Sequence, residues 1–224
     1  MSITNYTELV SAVTSWSNRT DTVTLARIPD FIMLTERVMD TLKLQVREQL
    51  VANVGYLDAT TNYVPSSALA FTEVMQAQIT GTFDGTAAIP GTVTATTVYP
   101  PMERLSSILQ RSQLQTLVAA PQYFSDRPDN SGWEFWPFGG KYQVTVWTWG
   151  KAGPLTAANP TTPVLTYYPH IYLSGVMAQV DRFLKVPPGQ SIWGADFSAA
   201  IDAANQATRA AMYSGSTLRM KSPR

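Results

Sequence analysis

A chain of 224 residues with 16 basic and 16 acidic side chains carries no global field that would draw it onto nucleic acid or an anionic membrane, and with no cysteine it has no disulfide, thiolate metal ligand or Cys nucleophile. Charged residues make up only 14% of it, against roughly 25% in ordinary globular domains. Thr, Ser, Gln, Asn and aromatics must therefore cover much of the surface, a mixture suited either to contact with other proteins or to β-structure.

The opening MSITNYTELVSAV has no basic n-region, which predicts no signal peptide, and the chain contains no apolar run of about 18 residues that would predict a transmembrane helix. Tyr6, Leu9, Val10, Val13 and Trp16 recur at helical spacing and predict a first amphipathic helix, with Asn5 as N-cap and Glu8 as its capping-box partner. Residues 17–21 break it. From Ile28-Pro29, where proline suits a first helical turn, Phe31, Leu34, Val38, Leu42 and Val46 predict a second helix to about Leu50.

Between about Ala52 and Tyr168 the period drops to two. In FTEVMQAQIT, Phe71, Met75, Ala77 and Ile79 share one face while Thr72, Gln76, Gln78 and Thr80 share the other, predicting a half-buried strand. TVTATTVY, Thr92 to Tyr99, predicts a further strand between turns, and RLSSILQRSQLQTLVA fits either strand or short helix. SGWEFWPFGGKYQVTVWTWG predicts a β-hairpin turning at Gly139-Gly140, where glycine supplies positive φ. After a Pro-, Ala- and Thr-rich connector, helix returns from Pro169 to Leu184, with Tyr172, Val176, Met177, Val180 and Leu184 on one stripe. A Pro187-Pro188-Gly189 turn leads to a last helix over about 192–213 bearing Phe197, Ala200, Ile201, Ala204, Thr208 and Met212.

The fold class expected is α+β. Residues 1–52 and 169–213 would form a four-helix bundle, residues 53–168 an antiparallel β-module inserted between helices 2 and 3, and residues 214–224 an extended C-terminal tail.

Little in the chain is arranged for chemistry. One histidine, His170, and no cysteine preclude a His₂ or His₃ metal site, and no G-x-S-x-G elbow supports a catalytic triad, so His170 is expected to be structural or solvent-facing. Asp126 and Asp129 lack the calcium-loop spacing, and PFGGK lacks the phosphate-loop spacing. Glu8, Glu36, Glu73, Glu103 and Glu134 are scattered and nominate no acid and nucleophile pair. No catalytic residue, cofactor or metal is predicted. The strongest local signal is aromatic: Trp133, Phe135, Trp136 and Phe138, followed by Tyr142, Trp147 and Trp149. With few basic neighbours, these rings point to a β-core or a subunit or tail interface ahead of nucleic-acid stacking, with carbohydrate binding as the alternative.

After Asp202 there is no acidic residue, while Arg209, Arg219, Lys221 and Arg224 make the end of the chain basic. Tyr213, Leu218 and Met220 interleave with those charges, the pattern of a segment that orders on a partner's groove rather than a purely solvated terminus.

Taken in order, YTELVSAVTSWSNRTD, ARIPDFIMLTERVMDTLKLQVREQL, YPPMERLSSIL, TYYPHIYLSGVMAQVDRFL and FSAAIDAANQATRAAMYSGSTLRMKSPR resemble the head-to-tail adaptor (connector) proteins of short-tailed bacteriophages. Ile28-Pro29-Asp30, Tyr168-Pro169 and Ser214-Gly215-Ser216 are the sharpest pieces. The resemblance implies a structural virion protein without enzymatic activity, made in the host cytoplasm. It implies a ring homo-oligomer, usually a dodecamer, beneath the portal protein, continuing the channel for double-stranded DNA without sequence-specific binding and offering a surface to the tail nozzle protein. It also implies portal contacts from Tyr213, Leu218, Arg219, Met220, Lys221 and Arg224, and neighbour or tail contacts from the β-region.

Overall fold

The computed structural model describes residues 3–65, 71–95, 99–105, 119–127, 132–137, 139–187 and 190–213. The chain divides into two compact units, one made from its two ends, Met1–Gln49 with Lys151–Arg224, the other from Leu50–Gly150.

In the first unit, α1 (Tyr6–Ser17) starts as its sequence predicts. Asn5 Oδ1 accepts the Glu8 N–H at 3.0 Å, and the Glu8 carboxylate reaches back to the Thr4 N–H and hydroxyl at 2.6 and 2.8 Å, which satisfies orphan donors and holds that carboxyl below its usual range. A five-residue helix that periodicity did not announce, α2 (Thr22–Ala26), is capped by Asp21, which accepts the Thr24 N–H at 2.9 Å.

α3 (Ile28–Thr41) is shorter than its apolar pattern predicts. It ends in a Schellman motif: Lys43 takes φ 52°, its N–H bonds the Asp40 carbonyl at 3.1 Å, and the Leu44 N–H bonds the Met39 carbonyl at 3.0 Å. Leu44 and Val46 then bury themselves from the turn rather than from a helix, and a 3₁₀ turn, Arg47–Gln49, leads into the second unit. The buried face of α3 is Ile28, Phe31, Ile32, Thr35, Glu36 and Met39, so Leu34 and Leu42 of the predicted stripe lie exposed.

α4 (Pro163–Tyr167) sits within the predicted connector, capped by Thr162, whose Oγ1 accepts the Leu165 N–H at 3.1 Å. It leads to α5 (Pro169–Phe183), the hub on which α1, α3, α4 and α6 (Trp193–Tyr213) all pack. Gly175 makes the closest approach possible: a Cβ there would fall on Thr35 Cγ2 of α3 and within 2.7 Å of the Phe197 ring of α6. α5 ends as α3 does, in a Schellman motif with Lys185 at φ 56°. Asn205 of α6 accepts the Gln45 N–H at 2.7 Å and tethers α6 to the turn after α3.

The second unit holds two four-stranded sheets. One has the order β1 (Leu50–Leu57), β8 (Tyr142–Gly150), β3 (Phe71–Phe83) and β4 (Val93–Ala95); the other has β2 (Tyr63–Pro65), β7 (Gly132–Trp136), β6 (Tyr123–Asp126) and β5 (Glu103–Arg104). Pairing is antiparallel except between β5 and β6, which run parallel. Leu57, Val64, Ala77, Ile79, Met102, Phe124, Trp133, Phe135, Val144 and Val146, drawn from both sheets, form one core.

The predicted hairpin does not form, because β7 pairs with β2 and β6 while β8 pairs with β1 and β3. The glycine-rich link crosses between sheets, although Gly140 does adopt φ 92°. In β3 the register slips between Val74 and Gln76, and this bulge turns Met75 out of the predicted face to 38% exposure while Ala77 and Ile79 stay buried.

Candidate functional site

The structure buries Trp133, Phe135, Trp136 and Trp149 and leaves Tyr142 and Trp147 half-buried. Trp133 and Phe135 are 0% exposed and Trp136 2%, because β7 is an interior strand covered on both faces. Buried in their own subunit, these rings offer no surface to a neighbour, a tail protein or a sugar. Phe138 lies outside the described residues, as do Leu218, Arg219, Met220, Lys221 and Arg224. Tyr213 is the final residue of α6.

His170 is exposed at the start of α5, its ring 6.4 Å from that of Tyr168. Asp126 forms an ion pair with Arg104, and Arg127 pairs with Glu134 at 3.4 Å. Among the described residues no cluster of His, Asp and Glu could hold a metal ion.

The most unusual electrostatics lie inside the helical unit. Glu36, buried on α3, receives the Leu155 N–H at 2.8 Å and the Tyr172 hydroxyl at 2.9 Å on the same oxygen. One turn on, Asp40 accepts the Ala152 N–H at 3.1 Å. The Tyr172 oxygen also lies 3.1 Å from the Ala152 carbonyl and receives the Thr162 hydroxyl at 3.4 Å. Burial pushes the Glu36 carboxyl above its ordinary range against the pull of those two donors, and burial beside the Glu36 charge pushes the Tyr172 phenol up. The protein itself supplies all of these partners, and both groups are buried. Their work is to pin residues 152–155 onto α3 and α5. The stripe predicted from Phe31, Leu34, Val38, Leu42 and Val46 left Glu36 on another face; a wheel drawn through Ile28, Ile32, Thr35 and Met39 would have found it on the stripe that is buried.

Surface features of the helical unit complete the picture. Trp16 of α1 and Trp193 of α6 meet edge to face at 5.6 Å between ring centroids. With His170, Leu173 and Ser174 of α5 and Asp196 and Ala200 of α6 they line an open groove of about 220 Å³. Trp16 is 57% exposed, and Ile192 beside it in sequence to Trp193 is 63% exposed. Met33 and Leu34 of α3 and Leu42 just after it are exposed apolar residues, and Phe183, the last residue of α5, packs on Phe31 at 5.4 Å between ring centroids. In the β-unit, Tyr99, Pro100, Pro101, Glu103 and residues 120–123 line a second groove of about 310 Å³. Among the described residues no helix is long and apolar enough to cross a membrane.

No curated protein matches the chain. The SU10 adaptor protein family model does, over residues 4–221, which spans both units and agrees with the head-to-tail adaptor resemblance of the sequence, so this chain belongs to the SU10 adaptor protein family and is a bacteriophage adaptor.

Proposed function

We propose that this adaptor joins head to tail: copies form a ring beneath the portal protein, continue the DNA channel and present a surface on which the tail nozzle assembles. The observation that carries the reading is the family match over nearly the whole chain, which treats the helical and β-units as one adaptor. The surface chemistry supports it. Zero net charge limits repulsion among identical neighbours and leaves few tight phosphate traps to retard DNA in transit. The basic, apolar end of the chain, Tyr213, Leu218, Arg219, Met220, Lys221 and Arg224, serves as the strap to the portal, with Leu218 and Met220 as anchors. Repeated around a ring, weak straps become a stable attachment, because each docked subunit raises the effective concentration of the next. The carbohydrate-binding alternative loses its platform, since Trp133, Phe135 and Trp136 are buried.

Removal of residues 214–224 tests the strap. The shortened protein is expected to keep its circular dichroism and thermal transition and to lose capture by purified portal protein. Capture at wild-type strength would overturn the portal assignment, and a catalytic turnover of any substrate by the intact protein would overturn the structural one.

A further inference from the structure

The geometry points to a head-to-tail contact between helical units: the exposed side of α3 around Leu34 and Arg37 in one copy seats in the Trp16, Trp193 and Asp196 groove of the next. This rests on the ring reading above and names the surfaces that would build it.

Three observations carry it. The first is placement. On α5, Tyr172, Gly175 and Phe183 meet α3, through Glu36, Thr35 and Phe31, whereas His170, Leu173 and Ser174 line the groove. At 100° per residue these two sets point about 170° apart around the helix. On α3 itself Leu34 and Arg37 lie on the side turned away from the buried stripe that includes Phe31, Thr35, Glu36 and Met39. The groove and the α3 face therefore lie on opposite sides of one unit, which is the arrangement a heterologous contact requires and a two-fold contact does not.

The second observation is charge. Asp196 lines the groove and Asp202 is exposed farther along α6, where no basic residue occurs before Arg209. On the α3 side Arg37 is exposed, and its guanidinium pairs with no carboxylate among the described residues. Asp30 on this side is already paired with Arg27 at 3.0 Å. Opposite signs on opposite sides favour head-to-tail pairing and disfavour like faces meeting.

The third is shape. A groove of about 220 Å³ is larger than the roughly 150 Å³ that admits a benzene ring, so it holds one long side chain. Its walls are two tryptophans and its edge a carboxylate. That is a receptor for a guanidinium, which stacks on indole and bonds the carboxylate at once. Arg37 supplies the guanidinium, while Leu34 beside it covers the exposed Trp16 and Ile192.

The absence of native cysteine makes the test clean. Met33→Cys and Ala199→Cys flank the two surfaces without removing a proposed contact; both positions are exposed. A short bis-maleimide is expected to convert the full-length double variant into a ladder of multimers. An equimolar mixture of the two single variants is expected to give one heterodimer joining position 33 to position 199. Arg37→Glu or Asp196→Arg added to the double variant lowers the ladder at least tenfold, and both reversals in one chain restore it. Crosslinks only between like positions, or oligomers by mass that ignore both charge reversals, overturn this contact and leave the ring to another surface. No association at about 1 mM, where even a contact of about 4 kcal/mol would be half formed, and none in the assembled particle, overturns contact and ring together. Faster alkylation of the Ala199→Cys thiol on removing residues 214–224 would assign the groove to the chain's own end and overturn the contact as well.

Discussion

Tyr172 of α5 donates its hydroxyl to Glu36 of α3 at 2.9 Å, and the same carboxylate oxygen accepts the Leu155 N–H at 2.8 Å. One buried side chain thereby fixes two helices and the segment that follows β8. Glu36→Ala would strand both donors in the interior and is expected to destabilise the helical unit by about 2–4 kcal/mol, while Tyr172→Phe, which removes one donor and keeps the ring, costs about 1 kcal/mol. Urea denaturation followed by tryptophan fluorescence measures both; a Tyr172→Phe protein as stable as the wild type would show that the ring's packing, and not the bond, holds the helices.

The same carboxyl sets a pH dependence. Its folded pKa is raised above the ordinary 4.5, so the folded state keeps the proton longer than the unfolded chain. The stability this proton contributes is complete below 4.5 and is lost as pH rises through the folded value. Between pH 4.5 and neutrality the wild type should lose stability relative to Glu36→Gln, which cannot ionise. Parallel stability curves for the two proteins would refute the assignment.

Asp58 titrates the other way. Its carboxylate accepts the Ala87 N–H at 2.7 Å, the Thr60 N–H at 2.8 Å and hydroxyl at 2.7 Å, and the Thr61 N–H at 2.8 Å, which together hold its pKa down to about 2. The tie between the two loops is present above 3.8 and lost as pH falls toward 2. Protection of the Ala87 amide against hydrogen exchange, relative to the unfolded chain at the same pH, should fall over that range, and Asp58→Ala should lack that protection at every pH.

Gly175→Ala should destabilise the helical unit by about 1–3 kcal/mol despite alanine's better helix propensity, because its methyl would strike Thr35 and Phe197. Thr35→Ser removes the offending methyl and keeps the hydroxyl that donates to the Phe31 carbonyl at 2.8 Å, so the double variant should recover part of the loss. Thermal denaturation of the four proteins closes the cycle.

Trp133→Ala should cost about 3–5 kcal/mol by emptying the centre of the β-core, with loss of near-ultraviolet circular dichroism. A variant that kept wild-type stability and lost only partner binding would return this ring to the surface.

At Lys43, where φ is 52°, glycine should stabilise by about 0.5–1 kcal/mol, the reverse of its effect inside a helix. A midpoint of denaturation lower than wild type would mean that the lysine side chain outweighs the backbone.

What was legible in the sequence is what depends on near neighbours. The Asn5 cap, the starts of α1 and α3, the whole of α6 and the change from period 3.6 to period 2 near residue 50 all follow from residues a few places apart. The absence of any metal or thiol chemistry among cysteines followed from counting. The end of α3 did not follow, because its left-handed residue is a lysine and carries no glycine signal, and the apolar spacing of Leu42 and Val46 continued past the real terminus. Nor did the fate of the tryptophan-rich segment: whether β7 and β8 pair with each other or join different sheets is decided by the other strands on offer, since β7 takes β6 just before it and the distant β2, while Val144 of β8 pairs with Gly55 of β1 and Ile79 of β3. Glu36 was missed for the same reason, since the stripe predicted from Phe31, Leu34 and Val38 left it on another face of α3, and the partners that bury it, Leu155 and Tyr172, come from more than a hundred residues away. Local hydrogen-bonding and periodicity are written in short stretches; which surfaces end up buried against one another depends on contacts that exist only once the two ends of the chain have met.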